Sequence, residues 1–137
     1  EPLKQRQVPL VLDLSVAGGH VALAGGPQTG KSMAVRTMVA SLALRHSTDE
    51  LCFYIIDAGS GDFSDLAELP HVAGVAQRTD EERVRRVVDE LVEMLDDPQR
   101  RTKRHTVLIV DGWHTLLAPG AKTEDLREPR SVRTSAT

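Results

Sequence analysis

Near the start of the chain, four apolar residues lead directly into a glycine-rich turn, in the stretch His20-Val21-Ala22-Leu23-Ala24-Gly25-Gly26-Pro27-Gln28-Thr29-Gly30-Lys31-Ser32. An unbroken apolar run of this length suits a parallel strand that is buried on both faces. Gly25, Gly30, Lys31 and Ser32 complete the spacing G-x-x-x-x-G-K-[ST]. The pattern predicts that the chain turns back after the strand and that a helix begins near Lys31.

This turn has the chemistry of a phosphate-binding loop, or P-loop. Glycines let the backbone approach phosphate oxygens that a Cβ would hold away, and the N-terminus of the following helix favours an anion. Lys31 would reach the β and γ phosphates, and the Ser32 hydroxyl would bind Mg²⁺. A chance match in a glycine-rich turn is the alternative. Because a strand precedes the turn and an amphipathic helix follows it, we expect residues 25–32 to hold a nucleoside triphosphate.

Composition bounds the class of protein. The chain has 137 residues, enough for one domain, and its 3% aromatic content predicts an aliphatic core. A net charge of −3 gives no general attraction to DNA or to an anionic membrane. The single cysteine, Cys52, excludes an intramolecular disulfide and fits a reducing cytoplasm. We see no membrane-spanning run or signal peptide, and because the chain opens on Glu1 we treat it as a possible piece of a longer protein.

The rest of the chain alternates between strand and helix patterns, which predicts an α/β fold with a mostly parallel sheet. One helix is predicted from a capping box, with Thr79 at the N-cap and Glu82 three residues later. The basic run at residues 100–104 lacks interleaved aromatic residues, so we interpret it as a link between elements. The predicted strands are 8–14 at a sheet edge, 21–24, 51–57, 72–76 and 106–111, and the predicted helices are 31–46, 63–69 and 80–96.

Two of these strands end in a carboxylate. Residues 106–111 read as a Walker B strand with Asp111 near the Mg²⁺, a pattern that gains force about 80 residues after a P-loop. Asp57 either points toward the nucleotide or caps the glycine turn that follows it. Gly112 stands where many ATPases have the glutamate that activates water. General-base assistance is worth roughly 10²–10⁴-fold, so hydrolysis should be slow unless another acid substitutes.

Beyond the Walker B strand the regular pattern fades. We expect Trp113 to pack against a neighbouring helix, and His114 has no partner at metal-ligand spacing. The sequence therefore predicts a nucleotide-binding domain over residues 1–117 and a flexible tail over residues 118–137.

With these segments in view, the chain resembles the FtsK/SpoIIIE family and, within it, the EccC ATPases of type VII (ESX) secretion systems. The resemblance covers residues 8–117 and rests on the P-loop, the segment from Asp57 to Val72, and the run Asp111-Gly112-Trp113, which is similar to the second of the tandem ATPase domains. It implies a RecA-like three-layer fold, ATP and Mg²⁺ as ligands, residues 25–32 as the phosphate loop and Asp111 as the Walker B aspartate. It also implies other ATPase domains or subunits of a secretion complex as partners, small helical secreted proteins as substrates, and contact with the inner membrane only through partner subunits.

The sequence departs from that family pattern in two places. Gly112 replaces the catalytic glutamate of active members. In RecA-like domains, the strand after Walker B inserts between the Walker B and P-loop strands, and nothing after Leu117 matches it. We therefore expect the fold to be interrupted after Walker B, so that the missing half comes from elsewhere or the strands re-pair. Arginines from a neighbouring subunit would also come from outside.

Three functions follow from this reading. The first is an ATP–Mg-binding domain of a type VII secretion ATPase with weak or no hydrolysis. The second is an active motor ATPase such as a DNA translocase, in which Asp57 or an acid supplied in trans replaces the missing glutamate, although the net charge argues against DNA. The third is a non-enzymatic protein-docking module.

Overall fold

A computed structural model describes residues 10–15, 19–59 and 61–116 of the chain. Three strands alternate with helices, as the sequence predicts. The strands are β1 (Leu51–Asp57), β2 (Val72–Gln77) and β3 (His105–Asp111), and the helices are α1 (Lys31–Ala43), α2 (Glu81–Asp96), α3 (Pro98–Lys103) and α4 (Trp113–Leu116), with a 3₁₀ helix at Ser64–Glu68 between β1 and β2.

The described sheet is entirely parallel, with the strand order β2-β1-β3. Strand β1 lies in the centre, and all seven of its residues are buried. Its register with β3 pairs Leu51 with His105 at one end and Asp57 with Asp111 at the other. The carboxyl ends of β1 and β3 therefore lie side by side, with both aspartates at the edge of the sheet where ligands of open α/β folds bind.

Helices cover both faces of the sheet. On one face, Val39 of α1 and Leu66 of the 3₁₀ helix pack with Phe53 and Ile55 of β1. On the other face, Val87 of α2 packs with the alternate β1 residues Cys52, Tyr54 and Ile56. The result is a three-layer α/β/α arrangement, which confirms the predicted fold class, and the core is largely aliphatic because only two buried phenylalanines and Tyr54 contribute aromatic rings to it.

Two predicted strands are wrong in this structure. Residues 10–14 and 21–24 form no strand, and Leu10, Val11, Val21 and Leu23 are all exposed. Val8 and Pro9, which begin the first prediction, lie outside the described residues. The physical reason is the absence of a neighbour: within the described part of the chain the sheet stops at β3, and no strand lies beside residues 21–24 to accept their backbone hydrogen bonds. The predicted interruption after the Walker B strand concerns residues 117–137, which lie outside the described residues.

The other elements agree with the sequence except in detail. The N-cap of α2 is Asp80, not Thr79, because the Asp80 carboxylate accepts the Arg83 N–H at 3.0 Å, so the predicted capping box does not form. The predicted basic link is helical over most of its length, as α3. Trp113 is 60% exposed and does not pack as predicted, since α4 lies at the end of β3, the edge strand of the described sheet. The predicted tail at residues 118–137 lies outside the described residues.

Candidate functional site

The glycine-rich turn winds tightly around the ammonium of Lys31. Lys31 Nζ donates hydrogen bonds of 2.6 Å to the carbonyl oxygens of both Gly25 and Gly26. The Thr29 hydroxyl donates to the Gly26 carbonyl at 2.8 Å. The partners in these hydrogen bonds are at most six residues apart. Every residue from 21 to 30 is exposed. The turn therefore keeps its shape through its own atoms, and Lys31 is held at its centre.

Backbone geometry explains two glycines of the turn, Gly25 and Gly30. Gly30 has a φ of 88° and Gln28 a φ of 56°, both in the left-handed region that favours glycine. A Cβ on Gly25 would lie 2.7 Å from the Thr29 hydroxyl oxygen, so only glycine fits there without movement of Thr29. Gly30 is the N-cap of α1 and has no side chain with which to cap the first-turn N–H groups. Those groups remain available for an oxyanion.

Asp111 lies at the end of β3, on the sheet face that α1 covers, and its carboxylate packs against the turn that follows β1. A Cβ on Gly59 would overlap Asp111 Oδ2, and a Cβ on Gly61 would lie 2.9 Å from the same oxygen. The backbone is tied as well, since the Ala58 N–H donates to the Asp111 carbonyl at 3.0 Å. The two glycines therefore leave the space that the Asp111 side chain occupies.

Asp57 has the turn-capping contact that was one of its two predicted roles. Its Oδ2 accepts the buried Phe63 N–H at 3.2 Å, and the residue is only 6% exposed. Its Oδ1 is also buried and has no hydrogen-bond partner among the described residues. A carboxylate in this position fixes the shape of the turn over residues 58–63, beside Asp111.

Gly112 has a backbone that a glutamate could not adopt without strain. Its φ is 70°, and a Cβ placed on it would lie 2.5 Å from the Gly59 nitrogen and 2.7 Å from the Ala58 carbonyl carbon. Both neighbours are backbone atoms, which cannot move aside as a flexible side chain can. The close packing of this turn therefore favours glycine over glutamate at position 112.

The structure adds residues that sequence reasoning missed. Arg36 of α1 contacts the segment after Gly59, and its only sequence signal is a position four residues after Ser32, on the same helical face. In that segment Asp62 has a φ of 42°, and hydrogen bonds from the Ser64 hydroxyl and N–H lower the pKa of its exposed carboxyl. Gly59 and Gly61 form the surface against which the Asp111 side chain packs.

The described residues place the two parts of the predicted site on adjoining elements. Residues 25–32 lie at the start of α1, and Asp111 lies on the sheet face that α1 covers. Among the described residues there is no group of three or more His, Cys, Asp or Glu side chains that could hold a metal ion by themselves, so His114 has no such partners. A cation at this site would need additional oxygens, such as those of a phosphate. None of the helices described here has the length and apolar character to cross a membrane.

Comparison with known proteins adds an independent line of argument. A sequence model of the FtsK/SpoIIIE family matches residues 2–126. The chain is 44% identical over 124 residues to the ESX secretion system protein EccC of Thermomonospora curvata, and 42% identical over 107 residues to the ESX-1 secretion system protein EccCb1 of Mycobacterium tuberculosis. These alignments cover 90% and 78% of this chain but only 9% and 18% of the relatives, so the chain spans a small part of their length.

A solved structure is similar as well. The cytoplasmic domain of the type VII secretion ATPase EccC from Thermomonospora curvata superimposes with a TM-score of 0.74 at 40% sequence identity. The match covers 91% of this chain and 17% of that one. The fold of this chain is therefore similar to part of that cytoplasmic domain.

Proposed function

This chain belongs to the FtsK/SpoIIIE family, and we propose that it is an ATP-binding domain of a type VII secretion ATPase that holds ATP–Mg²⁺ with weak or no hydrolysis. The observation that carries the proposal is the glycine-rich turn at the start of α1. It presents backbone N–H groups at an uncapped helix N-terminus and places the Lys31 ammonium at the centre of the turn. A polyphosphate needs both features.

The residues of this chain would divide the work of binding. The backbone N–H groups of residues 25–32, except Pro27, which has none, would contact phosphate oxygens. Lys31 would exchange the carbonyls of Gly25 and Gly26 for the β and γ phosphates. Ser32 and Asp111 would supply oxygens to Mg²⁺. When bound, Mg²⁺ neutralises charge on the β and γ phosphates.

Weak hydrolysis follows from the turn between β3 and α4. Gly112 provides no carboxylate to orient water, and Asp57 is buried, with one of its two oxygens bound to the Phe63 N–H. Loss of general-base assistance lowers a rate by roughly 10²–10⁴-fold. The domain would then act mainly through the binding and release of ATP, and less through its hydrolysis.

The similarity to EccC proteins supports a proposal for the place of this domain in a cell. Because it is similar to EccC proteins, we propose that it corresponds to the second of their tandem ATPase domains, and that it works beside other ATPase domains or subunits on the cytoplasmic side of the inner membrane. Its membrane contact would come through those subunits. Small helical secreted proteins would be the substrates of the assembly.

Titration with ATP and Mg²⁺ tests this function, with the fluorescence of the single tryptophan, Trp113, as a reporter two residues from Asp111. We expect binding by the parent chain and a loss of roughly tenfold or more in affinity for Lys31→Ala, since a charge-assisted contact is removed. Lys103→Ala, which removes an exposed lysine at the end of α3, is the matched control. Equal affinities of the parent and Lys31→Ala would show that the site is assigned wrongly.

Phosphate release separates this function from an active motor. In steady state with excess ATP–Mg²⁺, we expect release close to the rate in buffer alone. Rapid release would favour the motor ATPase, with an acid other than residue 112 as the base.

A further inference from the structure

One arginine connects the helix of the glycine-rich turn to the turn that surrounds Asp111. We propose that Arg36 is a positioning residue that sets the separation between Ser32 and Asp111, and thereby the Mg²⁺-dependent part of nucleotide binding. The inference rests on the proposed function for its ligand. Its structural basis can be tested without any ligand.

Within the described ranges, the hydrogen bonds and ion pair of the Arg36 side chain fall on residues 61–65. Its Nη2 donates to the Gly61 carbonyl at 3.0 Å and also to the Asp62 carbonyl, while Nη1 pairs with the Asp65 carboxylate. The guanidinium carbon lies 5.2 Å from the centre of the Phe63 ring. The planar guanidinium of Arg36 donates to two carbonyl oxygens and lies over an aromatic ring at the same time. The ammonium of a lysine has no planar group that could do both.

The segment that Arg36 contacts is the one that packs around Asp111. Gly61 approaches Asp111 Oδ2 so closely that a Cβ there would lie 2.9 Å from it. The neighbouring Phe63 is fully buried, and its N–H is bound to Asp57, the residue that pairs with Asp111 across the sheet. A shift of residues 61–63 would therefore have to move Asp111 or break its packing.

The other end of the connection is a rigid helix. Arg36 follows Ser32 by four residues in the thirteen-residue helix α1, so the two lie one turn apart on the same face. Val39 of the same helix is fully buried against the sheet. Ser32, Arg36 and the core contact thus move together, and the contact of Arg36 with residues 61–65 relates Ser32 to Asp111.

The contacts of Arg36 are not of equal weight. Asp65 is 62% exposed, and an ion pair in such a place contributes little because water screens it. The hydrogen bond to the Gly61 carbonyl is part-buried and charge-assisted, so it should dominate. Asp65→Asn should therefore have a much smaller effect than substitution of Arg36.

The first test compares ATP affinity with Mg²⁺ and with a chelator in the parent, Arg36→Met and Arg36→Lys. In both variants we expect the ratio of ATP affinity with Mg²⁺ to ATP affinity without Mg²⁺ to fall about tenfold. This is the lower end of the effect expected for residues that orient metal ligands. The affinity measured without Mg²⁺ should be unchanged. Arg45→Met, at an exposed position just beyond α1, is the control and should behave as the parent. Equal weakening with and without Mg²⁺, or no change in either, would overturn the inference.

The second test measures backbone amide exchange without nucleotide. We expect faster exchange at residues 58–63 and at Gly112 in Arg36→Met, and parent-like exchange in Arg45→Met. If the parent binds no ATP, the proposed function fails and the Mg²⁺-dependent part of the inference fails with it. Exchange then decides the structural part, that Arg36 positions the segment around Asp111. Protection of residues 58–63 that stays unchanged in Arg36→Met would overturn it.

Discussion

Two apolar runs in this chain resemble each other in sequence and differ completely in the folded molecule. Strand β1 is buried at every residue, whereas residues 21–24 are exposed at every residue. Strand β1 has a parallel neighbour on each side and a helix on each face. The run at 21–24 has no strand beside it among the described residues. An apolar run thus sets a tendency to form a strand, and its neighbours decide whether the strand forms.

The same contrast divides the candidate site. Asp57, Asp111 and Gly112 belong to the ordered end of the sheet, where each is fixed by contacts with the turn at residues 58–63. Among the described residues, the glycine-rich turn is held by side-chain hydrogen bonds of Lys31 and Thr29. One half of the site is therefore set by the core of the domain, and the other half by local hydrogen bonds that a ligand can replace.

The largest effect should come from a truncation within β1. Ile55 is fully buried in the cluster shared with α1, so Ile55→Ala removes apolar contacts and leaves a cavity. We expect a loss of about 2–5 kcal/mol in the free energy of unfolding. Denaturant titration followed by circular dichroism measures it. A loss below about 1 kcal/mol, the range of mild substitutions, would mean that β1 is not the centre of a packed core.

A smaller loss should follow from Gly112→Ala at the end of β3. The new Cβ would meet the backbone of Ala58 and Gly59 at a residue whose φ is 70°. We expect destabilisation of about 1–3 kcal/mol, as for overpacked sites. Gly74→Ala is the matched control, because a Cβ at Gly74 has no described atom within 4 Å. Gly112→Glu should likewise be destabilised and should not gain phosphate release, and a stable, hydrolysing variant would contradict this account.

The sequence was sufficient wherever local chemistry decides the structure. The run from Leu51 to Ile56 is apolar and, together with Asp57, becomes the central strand. The apolar stripe from Val84 to Leu91 becomes the buried side of α2. Leu23 was predicted as a strand residue with equal reason, but its burial requires a partner strand that the pattern at 21–24 does not contain. A sequence pattern indicates which secondary structure a segment prefers, but not whether a neighbouring strand is present to pair with it.

The site shows the same limit. Residues 25–32 and Asp111 could be named from spacing because each has its own motif, and their role as ligands of ATP and Mg²⁺ stays a prediction. Arg36 could not be named, because its partners Gly61 and Asp65 are 25 and 29 residues away and are joined to it only by folding. The left-handed backbone of Gly112 was hidden as well, since a missing glutamate can equally mark an open turn.

Alkaline pH should reveal the burial of β1 through its single tyrosine. Burial first, and the hydrogen bond with Glu90 second, raise the pKa of Tyr54 to about 12, above its ordinary value of 10. Between about pH 10 and pH 12 the folded state keeps the Tyr54 proton while the unfolded state loses it. The contribution of Tyr54 to stability is therefore constant below about pH 10 and falls as pH rises toward 12. Tyrosinate absorbance and denaturant titrations across this range measure both effects.

Tyr54→Phe is the corresponding control, because phenylalanine does not titrate. It should remove this part of the alkaline loss, while other groups continue to titrate. A Tyr54 that titrates near pH 10 in the folded chain would mean that this side of β1 is open to water.

The smallest effect should come from Leu23→Ala, the counterpart of Ile55→Ala in the exposed run. Leu23 is 51% exposed and has no strand beside it in the part of the chain that the structure describes, so truncation should remove few contacts. We expect a change within about 0.5 kcal/mol in the free energy of unfolding, as for surface positions. A loss near that of Ile55→Ala would mean that residues 21–24 are packed against another segment in solution. The question would then be which segment packs against residues 21–24. Repeating the measurement with ATP–Mg²⁺ bound would show whether ligand binding strengthens that packing.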